Sequence, residues 1–379
     1  MPTDKTPSND PHHEETLDSF ASNPIRLSLR EWMIALGIVV LVYIGLPRLW
    51  RRIEPFERTA DYRIPYELSD DYWTFGRLIQ DDTGSISPVV LGDSVIWGEY
   101  VKPDGTLTHF LNRRTTAGQF VNGGVNGTHP LALAGLVRYY GQRLPGRKVL
   151  LHCNLLWLSS AERDLQTEKE VSFNHPGLVP QFFPRIPCYK ASLDSRMGVL
   201  IDRHSTLRGW VHHHRIRSFE SLDVPSWSLE HPYANPLTRL TNENFLPLDE
   251  PHSPPIPWTE RGIPVQDIPW VDLEDSLQWQ GFCTTVRLLR QRGSRLFVMI
   301  GPFNEHLLSE ASQQRYEKIK ESAVSWLRAE RVPHIAPPPL PSSEYGDASH
   351  PLVRGYERLA AQLIADTTFQ DWLAHDAGR

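Results

Sequence analysis

A serine placed directly after a short apolar run is the first feature of this sequence that could do chemistry. Ser87-Pro-Val-Val-Leu91 reads as a buried strand, and Leu91-Gly-Asp-Ser-Val-Ile-Trp-Gly98 follows it. Gly92 permits a tight turn, which leaves Ser94 exposed at the strand's end as a candidate nucleophile. A hydroxyl attacks poorly unless a base takes its proton, so an imidazole must come from elsewhere in the chain. Among 16 His residues, the spacing Asp-x-x-His marks those with a carboxylate close enough to fix the tautomer. It occurs at Asp10/His13, Asp249/His252 and Asp347/His350. The first pair lies in the N-terminal tail and the second in a Pro-rich stretch. The third follows the last expected strand and precedes the last expected helix. His350 is therefore the expected base and Asp347 its orienting carboxylate; the other reading of this pair is a helix N-cap that happens to contain His.

The elements that must bring Ser94 and His350 together alternate. Strands are expected at 87–91, 119–122, 148–151, 295–300 and 332–335. Helices are expected at 106–114, from Pro130, at 277–292 closed by Gly293, at 309–331 and at 351–366. Strands alternating with helices imply right-handed crossovers and a mostly parallel sheet covered on both faces. Such a sheet carries its working groups beyond the carboxyl ends of its strands. Between about 160 and 272 the rhythm breaks into a stretch rich in Pro and aromatic residues. It reads as a folded insertion lying over that edge as a cap, or alternatively as a peripheral decoration.

The order of these blocks resembles the SGNH (GDSL-type) hydrolase superfamily. The first block of that family is similar to Gly92-Asp93-Ser94, the second to Asn122-Gly-Gly-Val-Asn-Gly127, and the last to Asp347-Ala-Ser-His350. The third block is matched only at Asn154 of His152-Cys-Asn-Leu155: His152 stands in place of a glycine, and Leu155 in place of the block's final residue. The resemblance covers about 86–160 and 275–367. It implies an α/β three-layer sandwich of flavodoxin-like SGNH type within 86–370. It also implies Ser94 as nucleophile, His350 as base and then acid, Asp347 as orienter, and an oxyanion hole of the Ser94 and Gly127 N–H groups with the Asn154 side chain. Such a donor contributes about 3 kcal/mol at a developing oxyanion. Trp97 and Asn304 are the expected substrate contacts, the latter in Gly301-Pro-Phe-Asn304, which follows the fourth strand.

Outside this domain, residues 1–29 read as a disordered tail and 51–85 as a polar juxtamembrane segment. Residues 30–50 read as a transmembrane anchor: Trp32 to Trp50 spans roughly 28 Å with only Arg48 interrupting. Trp32, Tyr43 and Trp50 suit interfacial positions. Counting Arg48, Arg51, Arg52 and Arg58 against Arg26 and Arg30 favours a cytoplasmic C-terminal part. The resemblance to bacterial envelope SGNH proteins implies the opposite, extracytoplasmic side.

A net charge of −6 gives no reason to expect nucleic acid, and three cysteines cannot form a disulfide scaffold. No metal is expected at His212-His213-His214, because consecutive side chains diverge and no carboxylate or thiol cluster is expected nearby. No cofactor is expected. The resemblance implies an anchored serine esterase acting on an acylated carbohydrate or small ester, with O-acetyl groups of envelope glycans as the expected substrate. The alternatives are an O-acetyltransferase using the same site and a non-catalytic polysaccharide-binding protein.

Overall fold

Five short strands form the centre of the structure: β1 (Val89–Gly92), β2 (Val121–Gly124), β3 (Lys148–Cys153), β4 (Arg295–Ile300) and β5 (His334–Ile335). They pair in parallel in the order β2-β1-β3-β4-β5, that of flavodoxin-like doubly wound sheets. The computed structural model describes residues 27–56, 58–80, 87–115, 119–241 and 250–374. Most of the expected tail, the pair Asp10/His13 and Asp249 lie outside the described residues.

The helices are, in chain order, α1 (Leu29–Ile53), α2 (Tyr72–Leu78), α3 (Ser94–Trp97), α4 (Leu107–Arg114), α5 (Pro130–Tyr140), α6 (Leu193–His204), α7 (Thr206–Phe219), α8 (Val224–Glu230), α9 (Pro236–Thr241), α10 (Leu277–Gln291), α11 (Glu310–Ala329), α12 (Val353–Ala365) and α13 (Thr367–Ala374). Strand residues alternate between two cores, as a period of two requires. Val89, Leu91, Val149, Leu151, Val298 and Ile300 face one core, with Leu136 of α5, Val286 of α10 and Ile319 of α11. Val90, Leu150, Phe297 and Met299 face the other, with Leu111 of α4, Leu359 of α12 and Phe369 of α13. The sheet is thus the middle of three layers. Each fully buried Leu, Val or Phe contributes about 1.5–3 kcal/mol of apolar burial.

Residues 58–80 differ from the polar segment expected there. Ile64, Phe75, Leu78 and Ile79 are buried in the first core, so the domain begins before residue 86. The polar residues interleaved with these anchors mask them in the sequence; Asp71, for example, caps α2 by accepting from Thr74 N at 3.2 Å.

Helix α1 opens with a capping box between Ser28 and Glu31. Its mean hydropathy reaches 2.0 over an 18-residue window of which 6% is buried, so it is long and apolar enough to cross a membrane. Its C-terminal half does not stand alone. The Tyr43 hydroxyl lies 2.5 Å from Ser205 Oγ, and the Trp50 ring packs edge-on against His214 and Trp210 of α7. Both side chains, expected at a lipid interface, contact the insertion. Of the His triplet, His213 is buried between Glu54 and Asp71, His214 sits against the two tryptophans and His212 is exposed.

Candidate active site

All strands point the same way, so the segments that follow them share one edge of the sheet. There Ser94 opens α3, and its Oγ lies 2.7 Å from His350 Nε2. His350 Nδ1 lies 2.9 and 2.8 Å from the two carboxylate oxygens of Asp347. The three groups, from loops 256 residues apart, thus form one continuous relay. Gly92 makes the strand-to-helix turn possible: a Cβ there would stand 2.4 Å from Ile96 Cγ1 and 2.8 Å from His152 Cβ.

Asp347 is held by four donors. It accepts from Ser349 N at 2.9 Å, His350 N at 3.0 Å and Tyr100 Oη at 3.0 Å besides the imidazole. Burial pushes its carboxyl up, but the attraction of His350 and these hydrogen bonds hold it well below the usual range. Burial likewise disfavours a charged His350, yet Asp347 in first place, with Asp93 and Glu99 beyond, raises its pKa above 6.5. A base must be neutral to accept the Ser94 proton. The acid limb of kcat/KM against pH is therefore expected to have its midpoint above 6.5, and a midpoint below 6 would contradict this electrostatic reading.

The residue before Ser94 is as constrained as the relay. Asp93 is buried and caps α3 by accepting from Val95 N at 3.0 Å. Its carboxylate also meets His152 Nδ1 at 3.1 Å, Asn154 Nδ2 at 2.7 Å and Trp157 Nε1 at 2.9 Å. Burial works against its charge, but His152, Trp157 and Asn154 together lower its pKa to about 2. Asn154 thus spends one amide hydrogen on Asp93, while its Oδ1 accepts from Leu156 N at 3.0 Å. The histidine standing where the SGNH third block has glycine is one wall of this cage. His152 and Asn154 share a face of the chain at i and i+2, a spacing that could have signalled a common partner.

Among the described residues, the backbone N–H groups of Ser94 and Gly127 have no protein acceptor. Gly127 sits at φ +70°, and a Cβ there would stand 2.3 Å from Asn174 Nδ2. Asn174, which no sequence motif marks, thereby lies against the expected oxyanion glycine. Gly127→Ala must displace that amide and strain the turn. The expected result is a fall of about 10²-fold in kcat, measured on a chromogenic ester, because one oxyanion donor is moved.

Trp97 and Asn304 are not surface contacts. Trp97 is buried, donates to Ile64 O at 2.6 Å and carries Arg63 stacked 4.0 Å above its ring. It ties the segment after α1 to the Ser94 turn and has no face for a substrate. Asn304 is also fully buried; it donates to Asp347 O at 3.0 Å, and its N–H donates to Ala348 O at 2.8 Å. It braces the His350 loop.

Two segments of the insertion reach this edge. Residues 171–174, with Gly127, His129, Trp157 and Arg163, bound a cavity of about 420 Å³. Farther along, Ser253 bonds Glu99, Arg261 stacks 4.5 Å from the Tyr100 ring and Trp258 N donates to Tyr345 O. His252 stacks on Tyr66 and lies 3.8 Å from Glu99, whereas the imidazole that meets Ser94 Oγ is that of His350. No family model matches the sequence, and no curated protein is significantly similar to it.

Proposed function

We propose that this protein is a membrane-anchored serine esterase of SGNH type. The observation that carries the reading is the unbroken relay from Asp347 through His350 to Ser94 Oγ. Ser94 Oγ attacks an ester carbonyl while its proton passes to His350 Nε2. The tetrahedral oxyanion is received by the Ser94 and Gly127 N–H groups, and Asn154 can offer its second amide hydrogen. The C–O bond to the alcohol then breaks, and His350 protonates the leaving oxygen. Water, deprotonated by His350, attacks acyl-Ser94, releasing the acid and restoring the hydroxyl. The substrate class we propose, O-acyl and above all O-acetyl groups of envelope glycans, rests on the family resemblance, as does an extracytoplasmic active site.

The test uses the full chain in detergent micelles with a chromogenic acetyl ester. Turnover and Ser94 labelling by a fluorophosphonate are expected without any acceptor. Turnover that requires added glycan would make the protein a transferase, with a sugar hydroxyl in place of water. Neither turnover nor labelling would leave a binding protein.

A further inference from the structure

Helix α6 is built inside out. Arg196 and Arg203 turn toward the protein, where Arg196 bonds the carbonyls of Gln181, Tyr189 and Ala191, and Arg203 those of Gly177 and Val179. Leu193, Met197 and Ile201, at the i, i+4, i+8 spacing of one helix face, are 65%, 45% and 52% exposed. No residue of α6 is buried. In water this arrangement forfeits the apolar burial that normally holds an amphipathic helix to its domain.

The position of α6 relative to α1 explains the inversion. Helix α7 runs alongside α1 in the same direction. Ser205, at the α6–α7 corner, meets Tyr43; Trp210 and His214 meet Trp50; His213 and Arg217 meet Glu54. A hydrocarbon layer of about 30 Å requires about 20 helical residues. Laid from Arg30, that length ends near Trp50, about 10 Å beyond Tyr43 along the helix axis. If α1 spans a bilayer, the corner beside Tyr43 is level with the lipid rather than clear of it. Arg48 and Arg52, exposed on α1 beyond Tyr43, suit anionic headgroups, while Arg208 at the corner is paired with Asp202 at 2.6 Å. Outside α1, most of the large apolar side chains exposed among the described residues also lie between 182 and 237.

We propose that the α6–α7 corner of the insertion is seated in the headgroup and upper acyl region of the membrane that α1 crosses, with Leu193, Met197 and Ile201 facing lipid. The bilayer holds the insertion from outside as the arginines hold it from within. The catalytic domain is thereby fixed against the membrane surface rather than tethered at the end of a flexible stalk. This inference rests on α1 spanning the bilayer and is independent of the chemistry at Ser94.

The three native cysteines are buried, so a single added cysteine can be labelled in the full chain. A nitrobenzoxadiazole probe is placed at M197C, at V40C within α1 and at R354C on exposed α12, in vesicles of phosphatidylethanolamine and phosphatidylglycerol. The Met197 probe is expected to be quenched about threefold more strongly than the Arg354 probe by headgroup-region spin-labelled lipid, and about threefold less by aqueous iodide. Adding Leu193→Asp and Ile201→Asp should return it toward the Arg354 values while fluorophosphonate labelling of Ser94 is unchanged. A Met197 probe open to iodide, beside a Val40 probe buried in lipid, would overturn the proposal. So would shielding from both quenchers, which would mean that a second copy covers the face. A Val40 probe outside the lipid would remove the spanning helix and this inference with it, leaving the esterase reading untouched.

Discussion

Ser94→Ala is expected to lower kcat on a chromogenic acetyl ester by about 10⁴- to 10⁶-fold, with KM little changed, and His350→Ala by a similar factor. The two losses should not add, because the hydroxyl and the imidazole at 2.7 Å act as one unit. Asp347→Asn should cost about 10⁴-fold or less: the amide keeps the shape of the loop but favours the wrong imidazole tautomer. These variants are expected to fold. Ser94→Ala removes one oxygen. His350→Ala leaves Asp347 still accepting from Tyr100 and two backbone N–H groups. Fluorophosphonate labelling reports whether the nucleophile survives, and steady-state rates report the rest. Near-normal turnover by either alanine variant would show that ester cleavage occurs elsewhere.

The relay was legible in the sequence because each member carries its own local signal. Ser94 follows a buried strand through a glycine, and Asp347 and His350 are close enough in sequence to reveal each other. The strands were legible because a sheet buried on both faces writes itself as short continuous apolar runs, such as Val89-Val-Leu91. Tyr100 left no such trace: its bond to Asp347 joins positions 247 apart. Asn174 lies in a stretch without periodicity, and only the close approach to Gly127 reveals it. Trp97, an expected substrate contact, has its indole claimed by Ile64, in a segment whose fold has no pattern to read. Helix α13 buries Phe369, Trp372 and Leu373 within only eight residues, too short a run for a helical period to stand out.

His213→Ala is expected to destabilise the folded protein by about 3–5 kcal/mol, the cost of removing one partner from a buried ionic cluster. His213 Nε2 lies 2.7 Å from Glu54 Oε1, and Nδ1 lies 2.7 Å from Asp71 Oδ2. Ionised carboxylates only accept hydrogen bonds, so both ring nitrogens must donate and the imidazole is held as the cation. Burial opposes that charge, but Asp71 and Glu54 raise the pKa of His213 to about 9. Burial likewise opposes a charged Glu54, while His213, Arg77 and Arg217 bring it down to about 2. Because Glu54 ends α1 and Asp71 caps α2, this one cation joins α1, the insertion and the edge of the first core. Alanine would leave two buried carboxylates facing each other, with the arginines satisfying only Glu54. The pH dependence follows from the signs. A histidine raised from 6.5 to about 9 stabilises fully below 6.5, and that contribution is lost as pH rises through about 9. A glutamate lowered from 4.5 to about 2 stabilises fully above 4.5 and loses its contribution as pH falls through about 2. Urea unfolding of the wild type and the variant should therefore differ most between pH 4.5 and 6.5 and converge toward pH 9 and above. A gap below about 1 kcal/mol in that window, as for an exposed ion pair, or one that widens at alkaline pH, would mean that the His213 cation is not what joins α1 to the domain.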